Sequence, residues 1–374
     1  MTIFSAMSNQ PLRVAIIGTG PSGFYTAEHL LKRHPHHLEI DLFDRLPTPY
    51  GLVRGGVAPD HQKIKAVTRV YEKIASHPAV RFYGHVSIGT DLTRDELLQH
   101  YHAVVYAIGA PHDRTLGIPG EGLSGSHAAT SFVGWYNGHP DYASLQFDLS
   151  QEHVAVIGMG NVAVDVVRVL ARTPEELRAT DIAAHALDAL AQSKVRDIYM
   201  IGRRGPVQGA FTNPELKELG ELAGADIVVR KEDLELDPGS AAALKSGEDR
   251  GAEKNLHTLQ EFASRAPGTK AKRIHLRFLL SPLELRGNGR VEQLTLGVNR
   301  LVPGSGGDMK AEATSATETL QAGLVFRSVG YLGAGLAGVP LDAKRGTIPH
   351  EHGRVQGSSW EYVVGWIKRG PSGV

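Results

Sequence analysis

Apolar residues along this chain follow two rhythms. Short continuous runs rich in β-branched residues, at Arg13–Ile17, Glu39–Phe43, Val80–Tyr83, Ala103–Ala107, His153–Ile157 and Asp197–Ile201, have the length and composition of strands buried on both faces. Between them, Phe24–Arg33, His61–Ser76 (with Ile64, Val67, Val70, Tyr71 and Ile74) and the stretch reaching Leu170 carry apolar residues at helical spacing. Strand, helix and strand again imply an α/β fold with a parallel sheet covered by helices. Residues 174–194 predict short helices inserted before the next strand, and the polar stretch Leu234–Lys272 predicts irregular surface helices. Arg273–Leu285, Arg290–Leu301 and Thr317–Arg327 carry strand alternation and predict an antiparallel meander. Gly323–Gly330 returns to a buried strand, and residues 361–374 read as a strand, an aromatic and a glycine-rich turn.

The first strand feeds Gly18-Thr19-Gly20-Pro21-Ser22-Gly23, a G-x-G-x-x-G turn that opens a helix and is followed by a second strand ending on Asp44. In this arrangement the first glycine permits a tight turn, the second lets backbone approach a pyrophosphate, and the third lets helix pack on strand. The helix N-terminus offers unpaired N–H groups to the phosphates, and an acid about 20 residues on holds a ribose hydroxyl. A second such unit starts at His153–Ile157 and runs through Gly158-Met159-Gly160-Asn161-Val162-Ala163, with alanine in the third glycine position. Two units imply two nucleotides. After the following strand, where an NAD site would show an acid, this chain has Gly202-Arg203-Arg204-Gly205. Guanidinium forks match phosphate oxygens, so the second nucleotide reads as NADP(H), the other reading being two solvated surface arginines. The loop 46–61, LPTPYGLVRGGVAPDH, is too apolar and too punctuated by Pro and Gly for a linker, and loops of that length inside a domain are usually functional.

Composition narrows the chemistry. With 374 residues, 41% apolar and 21% charged, the chain suits two globular domains with full-sized cores. The net charge of +0 points to neither nucleic acid nor a membrane surface, no apolar run approaches the roughly 18 residues needed to span a bilayer, and residues 1–10 show no secretion or transit signal; the expected setting is cytoplasmic. The complete lack of cysteine removes disulfides, thiolate nucleophiles, CxxC redox pairs and cysteine-held clusters. The run Arg33-His34-Pro35-His36-His37 has no partner cluster of ligands and reads as solvated histidines, so no metal is expected. Two nicotinamides would be redundant, so the first nucleotide is read as FAD. NADPH beside FAD delivers a hydride to the flavin, and without an internal dithiol the electrons must leave to an external acceptor, most naturally a one-electron carrier.

At this point the residues resemble a family. GTGPSGFYTAEHLLK, PTPYGLVRGGVAPDHQKIK, YAIGAPHDRTLGIPGE, SFVGWYNGHP, VIGMGNVAVDVVRVL, GRRGPVQGAFTNPELKEL, LRFLLSPLEL, VFRSVGY and EYVVGWIKRGPSGV run in order from residue 13 to residue 374. They are similar to the adrenodoxin-reductase type of ferredoxin–NADP(+) reductase. The resemblance implies two Rossmann-like domains, a discontinuous FAD-binding domain over 1–109 and 327–374 with an NADP-binding domain over 110–326 inserted in it. It implies hydride transfer from NADPH to FAD and single-electron delivery to a small acidic iron–sulfur ferredoxin. Besides Gly18, Gly20 and Gly23, it implies that Ser22, Asp44, Leu52 and Val86 contact FAD, with Trp366, Gly373 and Val374 near the flavin ring. Where family patterns often have Glu, this chain has Asp44, whose shorter carboxylate still reaches a ribose hydroxyl. Gly158, Met159, Gly160, Asn161 and Val162 are implied to hold the NADP pyrophosphate, and Arg203 and Arg204 its 2′-phosphate.

His61 of the APDH run is implied to lie beside the flavin, linked with Glu215 in arranging the nicotinamide or relaying protons; these two are the candidate catalytic residues. Against this, His61 can be read as a backbone-bonded loop residue, and Glu215 as a first-turn acid complementing its helix dipole. Trp366 can be read as a core aromatic, and Lys270, Lys272 and Arg273 as a solvated face rather than a ferredoxin contact. The resemblance also implies a glycine/threonine turn and helices beyond the last residue, Val374, so the sequence reads as a fragment or as lacking that cover, with weaker FAD retention and readier reaction with oxygen expected. The alternative functions are an NADPH diaphorase or oxidase-like flavoenzyme, and a catalytically silent nucleotide-binding module.

Overall fold

The computed structural model describes residues 11–35, 37–247, 249–266, 268–304 and 308–372. The chain forms two compact units, the first from residues 1–57, 61–112 and 330–374, the second from 58–60 and 113–329.

The first unit is built on a seven-stranded sheet. Leu12–Ile17 lies inside it, parallel to Leu38–Asp44 on one side and to the central strand Ala103–Tyr106 on the other. Val80–Gly84 extends the sheet in parallel beyond Leu38–Asp44. Glu361–Val363 adds in parallel to Ala103–Tyr106, followed by the antiparallel pair His350–Glu351 and Arg354–Val355. The unbroken apolar runs have a direct physical reason. Val14 and Ile16 join Ile40 and Leu42 in one core, while Ala15 and Ile17 join Phe43, Val104 and Tyr106 in another. Leu12–Ile17, Leu38–Asp44 and Ala103–Tyr106 bury both faces, so no polar alternation survives in them, whereas Val80–Gly84, expected from its apolar run to be buried on both faces, is the edge strand and exposes Arg81, Phe82 and Tyr83.

The second unit carries a six-stranded parallel sheet in the order Ser126–Ala128, Leu324–Arg327, His153–Ile157, Asp197–Ile201, Lys272–Arg277, Ala225–Val229. Here too Val154 and Val156 face one core and Ala155 and Ile157 the other. A separate antiparallel sheet comprises Leu280–Arg286, Gln293–Pro303 and Met309–Gln321. The architecture is α/β with two doubly wound units.

Several elements differ from the sequence reading. The run His61–Ser76 is two helices, Gln62–Lys65 and Thr68–Ala75, because the Thr68 hydroxyl donates to the Lys65 carbonyl at 3.0 Å and the chain turns there. The polar stretch after Leu234 contains the 15-residue helix Arg250–Ser264, whose Ala252, Leu256, Leu259 and Phe262 are buried. A narrow apolar stripe in a polar sequence is still a core helix. The expected meander loses its first segment. Lys272–Arg277 enters the parallel sheet, and the chain breaks at Leu279, whose φ is +56°, before the antiparallel strand begins at Leu280. Thr317–Arg327 likewise divides into the end of Met309–Gln321 and the parallel strand Leu324–Arg327. Strand Ala225–Val229 was not anticipated.

The late strand of the first unit is tied to the early chain by a buried charge. Glu361 is 0% exposed and accepts from Arg94 Nε at 2.7 Å, from Arg94 Nη2 at 2.5 Å and from the Tyr106 hydroxyl at 2.6 Å. Burial pushes its carboxyl up, but the bonds from Arg94, Tyr106 and Ser358 outweigh burial and hold it below the ordinary carboxylate value. A depressed carboxyl stabilises the fold above its unfolded pKa, and that stabilisation is lost as pH falls through the folded value. Glu361→Gln is therefore expected to lower unfolding free energy at pH 7 by about 3 kcal/mol. In denaturant titrations the deficit against the parent should narrow below about pH 4, near the unfolded glutamate pKa; a deficit that stays constant from pH 7 to pH 3 would contradict the ionic role.

Candidate nucleotide-binding sites

In the first unit the backbone, not the side chains, shapes the site. Gly18 has φ +99°, and a Cβ there would lie 2.5 Å from the Ala107 carbonyl oxygen. A Cβ on Gly23 would lie 2.2 Å from the Gly18 oxygen. Strand and helix approach too closely for any side chain at either position. Helix Pro21–Arg33 starts at Gly20 with no side-chain cap; Pro21 has no N–H and the Gly23 N–H donates to the Gly20 carbonyl at 3.0 Å, so the Ser22 N–H and the positive end of the helix dipole are what the turn offers an anion. The loop after Asp44 is drawn over this turn. Tyr50, at φ +92°, donates its N–H to the Thr19 carbonyl at 2.9 Å, and Gly51 comes so near that a Cβ on it would sit 2.9 Å from Gly20 Cα.

Asp44 stands at the end of its strand. Its Oδ2 accepts from the Thr19 N–H at 2.9 Å and the Thr19 hydroxyl at 2.5 Å, and Oδ1 accepts from the Leu46 N–H at 3.0 Å. A carboxylate has about four acceptor positions, so ribose hydroxyls still have lone pairs to meet. The Asp44 carbonyl accepts from the Val86 N–H at 2.9 Å, and Leu52 opens a short helix with half its surface exposed. From the far end of the chain Gly365, at φ +67°, packs on Ser22, where a Cβ would meet Ser22 Oγ at 2.5 Å. Trp366 follows it and stacks on Tyr331 with ring centroids 5.9 Å apart. The structure thus gathers Gly18, Gly20, Ser22, Gly23, Asp44, Leu52, Val86 and Trp366 at one edge of the sheet. An open helix start, glycines where a Cβ would fill the cradle, and an acid beside them fit a dinucleotide such as FAD. Gly373, Val374 and His36 lie outside the described residues. His61, half-buried, is the residue before helix Gln62–Lys65, and its carbonyl accepts from the Ile64 and Lys65 N–H groups.

The second unit repeats the device. Gly158 has φ +145°, and a Cβ would lie 2.2 Å from the Ser328 carbonyl oxygen. Gly160, by contrast, faces open space, with no atom within 4 Å of its would-be Cβ, and it begins helix Asn161–Ala171 without a side-chain cap. Met159 and Val162 pack partly against the core, with Met159 lying over Gly202. Asn161 Oδ1 accepts from the Thr212 N–H at 2.8 Å, and the Met159 carbonyl accepts from the Ala210 N–H at 2.8 Å, so the 206–212 loop is sewn to the turn. Strands His153–Ile157 and Asp197–Ile201 are parallel neighbours with Ile157 opposite Ile201. Their ends therefore bring Gly158 and the Arg203–Arg204 pair to the same edge. Arg203 is exposed and Arg204 half-buried, and among the described residues neither enters an ion pair. The uncapped turn and two available guanidinium groups fit a dinucleotide with an extra phosphate.

Glu215 lies in the first turn of helix Asn213–Leu219, and a buried arginine holds its carboxylate. Oε2 accepts from Arg168 Nη1 at 3.1 Å. Arg168 is 0% exposed and also donates to both Asp60 oxygens, at 2.6 and 3.1 Å, and to Asp165 at 2.6 Å. Burial works against its charge, but the Asp60 bond and the surrounding carboxylates outweigh burial and hold it above the ordinary guanidinium value. Arg172 adds a second donor to Asp60 at 2.8 Å. The sequence reading missed Arg168, Asp60 and Asp165. A signal existed, since Asp165 and Arg168 stand three apart in a helix otherwise apolar from Val162 to Ala171. Lys270 and Lys272, weighed as a docking face, instead donate to backbone carbonyls, Lys272 to Leu170 at 2.6 Å. Burial pushes the Lys272 amine down to about 8.

Fold and sites together define a two-dinucleotide oxidoreductase of the flavoprotein kind. Residues 12–201 match the family described as pyridine nucleotide-disulphide oxidoreductase. The chain is 47% identical to the NADPH-ferredoxin reductase FprA of Mycobacterium leprae, over 96% of its own length and 79% of that protein. It is 42% identical to the mitochondrial NADPH:adrenodoxin oxidoreductase of Arabidopsis thaliana, over 99% of its length and 80% of that protein. The structure of Mycobacterium tuberculosis FprA in complex with NADPH superposes with a TM-score of 0.94 at 46% identity, covering 98% of this chain and 81% of that one. The chain belongs to the pyridine nucleotide-disulphide oxidoreductase family, on its adrenodoxin-reductase-type branch. It does so without a cysteine, and therefore without the redox-active dithiol of the family's name.

The two glycines of the second turn make opposite demands. Gly158→Ala is expected to cost several kcal/mol of stability, since backbone must move. Gly160→Ala should cost about 1 kcal/mol or less as a lost helix-start preference, yet weaken nucleotide binding by filling the open space. Thermal unfolding and NADPH titration of both variants test this; a Gly160→Ala protein that binds NADPH as the parent does would contradict it.

Proposed function

We propose that the chain is an NADPH-dependent ferredoxin reductase, with the first unit as the FAD-binding domain and the second as the NADP-binding domain. Domain boundaries near 109 and 327 are supported by the division into two compact units. The reading rests above all on one observation: a glycine turn whose neighbouring strand leads into two arginines that enter no ion pair among the described residues. Those arginines would take the 2′-phosphate, while the N–H groups after Gly160 take the pyrophosphate. In the first unit the open N-terminus after Gly20 takes the FAD pyrophosphate, Asp44 a ribose, and Ser22, Leu52, Val86 and Trp366 flank the remainder. The relatives named NADPH-ferredoxin reductase and NADPH:adrenodoxin oxidoreductase support the same assignment.

When bound, FAD accepts a hydride as an electron pair and releases electrons one at a time. The protein's share is positioning and proton handling. The Glu215 carboxylate, set by Arg168, and the His61 imidazole would place the nicotinamide and pass on the single proton released for each NADPH oxidised and two ferredoxins reduced. The acceptor is an iron–sulfur ferredoxin, and we read it as small and acidic, acting with this enzyme in the cytoplasm. Because the chain as a whole carries +0 net charge, attraction to an acidic partner must come from a local patch, and it should be screened by salt.

Replacing Arg203 and Arg204 together by neutral residues is expected to weaken NADPH binding by about 2–3 kcal/mol, on the order of a hundredfold in Kd, with NADH binding nearly unchanged. Equal losses for both nucleotides would mean the arginines hold the fold. For the acceptor, NADPH-driven reduction of a ferredoxin should show kcat/KM falling steeply with ionic strength between about 10 and 300 mM salt. A ferredoxin rate indifferent to salt would remove the acidic partner, and dye reduction as fast as ferredoxin reduction would favour a diaphorase.

A further inference from the structure

The two arginines sit on a loop that has no regular structure of its own, so something must fix it. Three successive carbonyls are held. The Gly202 oxygen accepts from the Leu280 N–H at 2.9 Å and the Arg204 oxygen from the Leu279 N–H at 3.1 Å. The oxygen between them, that of Arg203, accepts from a side chain, Asn299 Nδ2, at 2.9 Å. Asn299 is 5% exposed and its Nδ2 also donates to Ser281 Oγ at 2.8 Å, while its own N–H donates to the Leu279 carbonyl at 2.7 Å. One residue thus grips both the arginine loop and the turn that supports it.

The surrounding backbone is irregular in two places that serve this grip. The ladder between Gln293–Pro303 and Met309–Gln321 shifts register between Gly297 and Asn299, the kind of irregularity that re-aims a side chain. Leu279 holds φ +56°, a conformation that non-glycine residues adopt only when their surroundings impose it. Long arginine side chains bind a phosphate well only when their backbone is fixed, since otherwise binding must also order the loop.

We propose that Asn299 is a positioning residue for the preference for NADPH over NADH: by holding the Arg203 carbonyl it pre-sets the Arg203 guanidinium for the 2′-phosphate. The inference rests on the reading of Arg203 and Arg204 as ligands of that phosphate. It is tested on this 374-residue chain by calorimetric titration with adenosine 2′,5′-bisphosphate and with 5′-AMP, ligands that differ at the 2′ position and involve no flavin chemistry. Asn299→Ala should weaken the bisphosphate about tenfold, the equivalent of one modest hydrogen bond, and leave 5′-AMP within about twofold. In an Arg203→Ala background the same substitution should have little further effect, because the residue acts through that arginine. The isosteric Asn299→Asp, which loses the donor but keeps the volume, should behave like Asn299→Ala.

Equal weakening of both nucleotides, or the same tenfold loss with and without Arg203, would overturn the inference, as would failure of both Asn299 variants to fold. Loss of bisphosphate binding in Arg203→Ala with none in Asn299→Ala would overturn the inference alone. No loss in Arg203→Ala would overturn the phosphate reading beneath it as well.

Discussion

Where a buried parallel strand turns directly into a helix, two stretches of backbone must come closer than any side chain allows. Both candidate sites depend on that approach. In the first unit Gly18 leans on the Ala107 carbonyl and Gly23 on Gly18 itself; in the second Gly158 leans on the Ser328 carbonyl. The close approach does two things at once. It aims the helix N-terminus outward past the sheet edge, and it leaves the next glycine, Gly20 or Gly160, facing a space without a side chain to fill it. The rest of each unit brings further residues to that edge: Asp44, Ser22, Leu52 and Trp366 in one, Arg203 and Arg204 in the other.

Buried charges hold these edges in register. Glu361 ties the last strand of the first unit to Arg94 and Tyr106, and the same strand leads to Gly365 and Trp366. Arg168 collects Asp60, Asp165 and Glu215 on one guanidinium group. A buried ion pair adds little net stability over an apolar replacement, but removing one partner is costly. Such pairs are better understood as fixing geometry, and here they fix a carboxylate proposed to work on the nicotinamide.

Much of this was legible in the order of residues. Unbroken apolar runs such as Arg13–Ile17 and His153–Ile157 announce strands covered on both faces, and the glycine turns that follow them announce the helices. The strand boundaries fell within a residue or two because the turn itself marks them, while the first helix begins at Pro21, inside the turn, three residues before its apolar spacing starts at Phe24. What sequence did not show was anything built from distant positions. Asp60 and Arg168 stand 108 residues apart, and Arg203 and Asn299 96 apart, so neither pairing has a local signature. Helix Arg250–Ser264 was hidden by its polar face, and the strand Lys272–Arg277 ran into the next because the break at Leu279 uses a leucine where glycine would have signalled it. The roles of His61 and Glu215 came from family resemblance and not from spacing.

The central claim is that the chain takes electrons from NADPH and distinguishes it from NADH by the 2′-phosphate. The most direct measurement is anaerobic stopped-flow mixing of the FAD-loaded protein with each nucleotide, following flavin absorbance. The account predicts rapid bleaching with NADPH and much slower bleaching with NADH at the same concentration. Equal rates with both would contradict the role given to Arg203 and Arg204, and no bleaching with either would contradict the reductase itself.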